Sequence, residues 1–382
     1  MTERIFFPDD IDRINAKYFK VLREQNEILA DPSYWYQNNS DAVEKYGYKK
    51  IGAYRSDYNM GIREEKPIIL DGLSHWDLCT YDYNDLTLCS TATAASFIVL
   101  SHIKNQGKIK KIYFETPCYF ASLRQSEYLG FEVNRLPSYY DSNFQVDFSV
   151  LPKDPKIIWL TQPRYGIGQN NSLSTIESLL SNMGKRDFLI IDEAAENMYP
   201  AHLREFNFKR DPRIIKIRNP FKGMGLNGPR ISSIIHGPKH RASIQIALEV
   251  IQGAMDALAL SFTTQVMLDI QRYKSMMQIA NSQVCETYNR LIKRTIKTNL
   301  DLTKMESGYI GSINLKYVDN DLKFFKRRER LLKYCSDRKM PVILGSNMNF
   351  AVDRNYEQIR LSYFNNLEDL ETAIKILSSF PY

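Results

Sequence analysis

From about residue 66 onward, short runs of β-branched and aromatic residues alternate with stretches whose apolar positions recur at helical spacing. The runs cover 86–90, 111–115, 131–136, 157–161, 188–192, 214–218 and 230–236, and the helical stretches 93–104, 119–129 and 172–183. Strands alternating with helices in this way predict a mostly parallel, seven-stranded sheet with helices on both faces. The run FLII ahead of Asp192 is apolar without alternation, the pattern of a strand buried on both sides. Two longer helical patterns follow at 239–273 and 278–299. The texture then mixes again: GSINLKYV as a strand, a basic helix over 321–336, strands PVIL and QIRLSYF, and a closing helix over 367–379. The predicted organisation is an N-terminal segment over 1–65 that packs with the small domain, a large α/β domain over 66–290, and a small C-terminal α+β domain over 291–382.

Composition narrows this picture modestly. A chain of 382 residues, 43% hydrophobic and 25% charged, can bury a large core and is neither disordered nor fibrous. Lys plus Arg is 51 and Asp plus Glu is 44, a net charge of +7 that suits an anionic ligand without arguing for nucleic acid. The 5 cysteines are scattered with no CxxC pair, and the 5 histidines show no ligand spacing, so neither a disulfide framework nor a metal site is predicted. The longest apolar tract, 247–268, contains Glu249, Gln252 and Asp256 and reads as a buried helix, not a membrane span. MTERIFFPDD has no apolar stretch of the kind a secretory signal needs, so the expectation is a soluble, cytoplasmic protein.

The sharpest local chemistry lies in DFLIIDEAAENMYP and, thirty residues on, IRNPFKGMGLNGPRISSIIHG. Asp192 closes an apolar strand, and open α/β sheets bind ligands beyond the carboxyl ends of their strands. Lys222 follows the 214–218 run in a glycine-rich turn, and Arg230 begins the next run. A carboxylate, a lysine and an arginine at three neighbouring strand ends make one candidate site. GMGLNG matches the G-x-G-x-x-G pattern of dinucleotide sites, but Pro229 and the β-rich RISSIIH follow it where a helix would be needed, which excludes that reading. The basic stretches at 290–297 and 323–333 are read as solvated faces of amphipathic helices, not as a nucleic-acid surface.

These segments together resemble the class I/II aminotransferases, pyridoxal phosphate (PLP) enzymes of fold type I. The family's lysine motif, approximately S-x-S-K-x-x-x-L-x-G-x-R-x-G, is matched by N-P-F-K-G-M-G-L-N-G-P-R-I-S, with Lys222 and Arg230 eight residues apart and Leu226 and Gly228 in place. Its D-E-A-Y motif corresponds to Asp192, Glu193, Ala194 and Ala195. LTLCSTATAASF, TPCYFASLRQSEYLGFEV and QIRLSYFNNLEDLETAIKIL resemble its phosphate-binding, ring-stacking and carboxylate-binding segments, in the family's order. The resemblance implies Lys222 as the Schiff-base lysine and proton shuttle, and Asp192 as partner of the pyridine nitrogen. It implies Ala92, Thr93, Asn219 and Arg230 at the phosphate, Tyr119 against the ring, and Arg360 on the substrate carboxylate. It also implies a homodimer acting on an α-amino acid and a 2-oxo acid, with Tyr54 or Tyr58 a loose match to a contact made across the dimer.

Three positions differ from the family's pattern. Its N-P-x-N-P-T-G loop reads Gln162-Pro163-Arg164-Tyr165-Gly166-Ile167-Gly168, so Tyr165 stands where an asparagine donates to the ring oxygen. Ala195 replaces the tyrosine that is the second donor, and Asn219 replaces a phosphate-binding serine. Such contacts steer which bond to Cα breaks. The main expectation is a PLP-dependent aminotransferase. A lyase, cyclase, decarboxylase or oxidative deaminase on the same fold is the alternative, and a non-catalytic binding module a further one.

Overall fold

A computed structural model of the chain describes residues 61–196, 211–226, 228–317, 324–351, 353 and 355–381. Almost all of the N-terminal segment, with Tyr54 and Tyr58, lies outside the described residues. Seven strands form one sheet: β1 (Leu86–Cys89), β2 (Lys111–Glu115), β3 (Glu132–Leu136), β4 (Lys156–Thr161), β5 (Phe188–Glu193), β6 (Ile214–Arg218) and β7 (Ser232–Ile235). Their order across the sheet is β1-β7-β6-β5-β4-β2-β3. Pairing is parallel from β3 through β6, and β7 runs antiparallel to both β6 and β1.

Alternation along the strands divides the core. Leu189, Ile191 and Ile214 face helices α1 (Gly61–Asp77), α4 (Leu173–Asn182), α6 (Ala257–Leu268) and α7 (Ile270–Thr295). Ile190, Ile215 and Ile217 face α2 (Ala92–Asn105), α3 (Phe120–Tyr128) and α5 (Arg241–Ile251). A three-layer arrangement follows, with strands apolar on both sides as the FLII run requires. A second, antiparallel sheet has the order β10-β9-β8, from β8 (Leu300–Leu302), β9 (Ile310–Lys316) and β10 (Tyr356–Ser362). Helices α8 (Phe324–Asp337) and α9 (Leu367–Ser378) complete that unit. The 26-residue α7 serves both cores: Tyr273, Met276 and Met277 pack behind the large sheet, whereas Val284 and Leu291 pack against the small one.

The structure departs from the sequence expectations in three places. The helical pattern 239–273 is broken into α5, α6 and the start of α7. Gly253 takes a left-handed φ of 69°, Asp256 Oδ1 caps α6 by accepting from Leu258 N and Ala259 N, and Asp269 caps α7. PVIL is not a strand. Pro341 has no N–H to give a ladder, and only Leu344 bridges to Ile359 before a tight turn at Gly345. The basic helix is only partly solvated: Lys326, Arg330 and Lys333 are exposed, but Arg327 and Arg328 are buried. The Arg327 guanidinium lies 4.4 Å from the Tyr317 ring centroid, and Arg328 grips both oxygens of buried Glu357 through Nε and Nη2.

That last pair yields a test. Arg328→Met leaves buried Glu357 with, among the described residues, the Tyr317 hydroxyl 3.3 Å away as its side-chain donor, and should cost about 3–5 kcal/mol. Chemical denaturation should show the lower midpoint, and Glu357→Leu added to Arg328→Met should restore most of it.

Candidate active site

The carboxyl ends of β4, β5 and β6 converge on a cavity with the N-terminus of α2. Its walls include Ala92, Thr93, Tyr119, Tyr165, Asp192, Asn219, Lys222 and Arg230. Arg360, on β10, reaches it from the small sheet by donating from Nη1 to the Tyr165 hydroxyl at 3.1 Å. All nine residues singled out in the sequence are thus brought to one place. Thr91, Ser96, Thr161 and Ala194 line the same cavity without having been singled out. Their small side chains carry no motif, and only strand register or helix phase reveals them.

Local structure explains how each group is held. β5 carries Asp192 one residue past its apolar run, 6% exposed, with Oδ1 accepting the Ala194 amide at 3.0 Å. Burial pushes this carboxyl above its ordinary range, against the opposing pull of the Lys222 charge and the Ala194 N–H. Asn219 follows β6 directly. Its Oδ1 accepts from Phe221 N at 3.0 Å and Lys222 N at 2.9 Å, which folds the chain into the short turn Lys222–Met224. The Asn219 amide nitrogen donates to Ser232 on β7 at 3.3 Å. The turn closes with Gly225 at φ 74°, a conformation glycine adopts without strain.

Lys222 Nζ is 5.6 Å from the Tyr119 ring centroid. Burial lowers its pKa to about 8; the Asp192 carboxylate acts to raise it, and the Arg360 and Arg230 charges add to the lowering. More of this amine is therefore uncharged at neutral pH than in an ordinary lysine. Tyr119 precedes α3 as its N-cap residue, and its ring meets that of Tyr165 edge-on at 5.8 Å. Thr91 caps α2 by accepting from Ala94 N at 2.9 Å. Ala92 and Thr93 belong to the first turn, whose N–H groups have no partner within a helix. With the exposed guanidinium of Arg230 nearby, that turn is a seat for a multiply charged anion.

A larger cavity opens on the other face of β4, lined by Phe148, Lys153, Lys156, Ser174 and Ser178. It gathers no comparable chemistry: its buried cation, Lys156, is already paired with Asp187 at 2.7 Å.

No protein-family profile matches the sequence, and no curated protein does. Solved structures do. An aspartate aminotransferase from Thermotoga maritima superposes with a TM-score of 0.72 over 98% of this chain and 97% of that one, at 16% identity. A single mutant of the Thermus thermophilus aspartate aminotransferase gives 0.77 over 98% and 97%, at 13% identity. An aromatic aminotransferase from Pyrococcus horikoshii gives 0.72 over 95% and 97%, at 14% identity.

The fold is that of the fold type I aminotransferases. At these identities the likeness is one of architecture, and chemistry has to be argued from the cavity. On the aminotransferase fold a bound PLP needs an amine for its aldehyde, an acceptor for a protonated ring nitrogen, a flat side chain and an anion seat. Lys222, Asp192, Tyr119 and the α2 N-terminus with Arg230 supply that donor set, so the residues fit the group.

The charges around Lys222 can be separated by mutation. Asp192→Asn removes the charge that raises the amine's pKa and should move it below about 8, whereas Arg360→Gln should move it up. The pH profile of Lys222 acylation, followed by peptide mass mapping, measures both shifts.

Proposed function

We propose that this chain is a PLP-dependent, aminotransferase-like enzyme that interconverts an α-amino acid and a 2-oxo acid. The observation that carries the reading is the Lys222 amine, with its pKa lowered to about 8, in one cavity with Asp192, Tyr119 and an anion seat. PLP supplies an aldehyde that bonds amines and a ring that accepts the electron pair released when a bond to the amino-acid Cα breaks.

The chain's own residues do the rest. Lys222 Nζ would hold the cofactor through its aldehyde and would be the base that takes the proton from the substrate Cα and returns it. The Asp192 carboxylate keeps a proton on the ring nitrogen; ion pairing there offsets the burial that otherwise favours its neutral form. Ala92 and Thr93 amides, Asn219 Nδ2 and Arg230 hold the phosphate. Arg360 binds the substrate α-carboxylate through its planar fork. Two such chains would form the homodimer, in the cytoplasm, with large and small domains meeting near residue 290. Among the described residues no helix is long and apolar enough to cross a membrane.

A second reading is favoured by one specific feature. Ala195 brings only a methyl group to the cavity wall, so Tyr165 is the phenol that would have to serve the cofactor's ring oxygen, and it already accepts from Arg360. With that altered donor set the same electron release can lead to elimination, cyclisation, decarboxylation or oxidation of the amino acid.

The absorption spectrum of the protein with added PLP is the test. A visible band that Lys222→Ala abolishes is expected, with Arg360→Gln retaining the band but losing most amino-acid-dependent change. Production of a 2-oxo acid with conversion of the cofactor to its amine form identifies transamination, and ammonia release or oxygen uptake identifies the second reading. A protein with no Lys222-dependent band is not a PLP enzyme.

A further inference from the structure

Of the hydroxyls lining the cavity that the chemistry above leaves unused, those of Thr91 and Ser96 have hydrogen-bond partners and one does not. Thr161 ends β4, is 6% exposed and lines the cavity, yet its Oγ1 has no hydrogen-bond partner among the described residues. Strand register sets Thr161 directly beside Asp192. The Gln162 amide donates to the Asp192 carbonyl at 2.8 Å and carries the ladder one step further, so backbone pairing fixes this placement. Leu160 and Ile191 point to the opposite face, into the core behind the sheet. Trp159 and Ile190 fill the cavity-side face one step earlier. Thr161 and Asp192 are therefore the first polar side chains met where that apolar layer ends.

A buried hydroxyl without a partner lowers stability, and valine has nearly the same shape without that cost. The position would pack better as valine unless the hydroxyl meets something that arrives from outside. A threonine hydroxyl can donate as well as accept, whereas the ionised Asp192 beside it only accepts. We propose that Thr161 is a ligand-contacting residue whose hydroxyl hydrogen-bonds a polar atom of the phosphorylated pyridine held beside Asp192. The assignment rests on the PLP reading of the cavity and adds a contact to it.

Thr161→Val and Thr161→Ser, each measured without and with PLP, test this. Thr161→Val should melt about 2 °C higher than the parent in the absence of PLP. It should also bind PLP roughly three- to tenfold more weakly, as read from quenching of intrinsic fluorescence and from the titrated absorption band. Thr161→Ser keeps the hydroxyl and should bind within about twofold of the parent. The proposal is overturned if Thr161→Val binds PLP as tightly as the parent. It is equally overturned if Val and Ser weaken binding alike, or if Val lowers the melting temperature, since shape or an internal partner would then be what matters. A parent protein with no Lys222-dependent band overturns the PLP reading and this contact together. An intact band with unchanged Thr161→Val affinity overturns this contact alone.

Discussion

Glu193 and its two cations, Lys216 and Arg218, set the geometry on which the site depends. Asp192 and Glu193 are consecutive on β5, so alternation sends one carboxylate to the cavity and the other behind the sheet. Glu193 is fully buried there and meets Lys216 at 3.0 Å and Arg218 at 2.9 Å. Arg218 also reaches Glu196 at 3.1 Å and Asp77 at the end of α1, and Tyr81 donates to that aspartate at 2.6 Å. Burial pushes Glu196 up to about 7, so near neutral pH the cluster is spared a full third negative charge against two positive ones. Charges buried this completely tolerate little displacement, because any one left alone is costly. They lock the carboxyl ends of β5 and β6 to each other and to α1.

The consequences reach Lys222 within four residues. Arg218 is the last residue of β6, Asn219 folds the next turn, and Lys222 begins it. The Tyr273 hydroxyl donates to the Pro220 carbonyl at 2.8 Å, and the Tyr273 ring meets Trp76 edge-on at 5.3 Å. The Lys222 amine thus stands on a loop clamped at its base by ions and along its length by a tyrosine from α7. This is how a lysine in a glycine-rich turn can be held at a defined distance from Tyr119 and Asp192, as preorganised chemistry requires.

The central strands β4 and β5 were legible because their runs are apolar on both faces, a pattern few other elements share. The spacing from Lys222 to Arg230 was legible only through the resemblance to the aminotransferase lysine motif; Arg230 itself lies just ahead of β7. The cluster behind the sheet was not. IIKIR reads as a strand in either environment, and nothing local says that Lys216 and Arg218 are inside; their partners lie on α1 and β5. Arg327 and Arg328 were hidden for the same reason, since Glu357 lies on β10 and Tyr317 just past the end of β9. The break between α5 and α6 did carry a signal, Gly253 and Asp256, but the surrounding apolar periodicity outweighed it. Thr161 had none, because a threonine closing a β-run is ordinary until register places it beside Asp192.

The two sheets contribute different parts of the chemistry, and their junction is tight. Lys222 and Asp192 come from the large sheet, whereas Arg360 comes from β10. Tyr165, on the loop after β4, links them by accepting from Arg360, and Arg164 beside it is anchored to buried Glu115 at 2.6 Å. Asn171 Nδ2 lies 3.0 Å from both oxygens of that glutamate, so this loop is pinned at both ends. Across the junction, Gly308 sits at φ 77° against Pro163 and the Ala195 carbonyl, where a Cβ would come within 2.6 Å of the proline ring. The surface on which Arg360 meets Tyr165 therefore has little room to shift by side-chain rearrangement. A carboxylate entering this cavity must take Arg360 donors in competition with a phenol whose position is already set. On the proposed reading, the departures from the aminotransferase pattern at Tyr165 and Ala195 fall where the substrate carboxylate and the cofactor ring would meet, and there the choice of reaction would turn on those residues more than on Lys222.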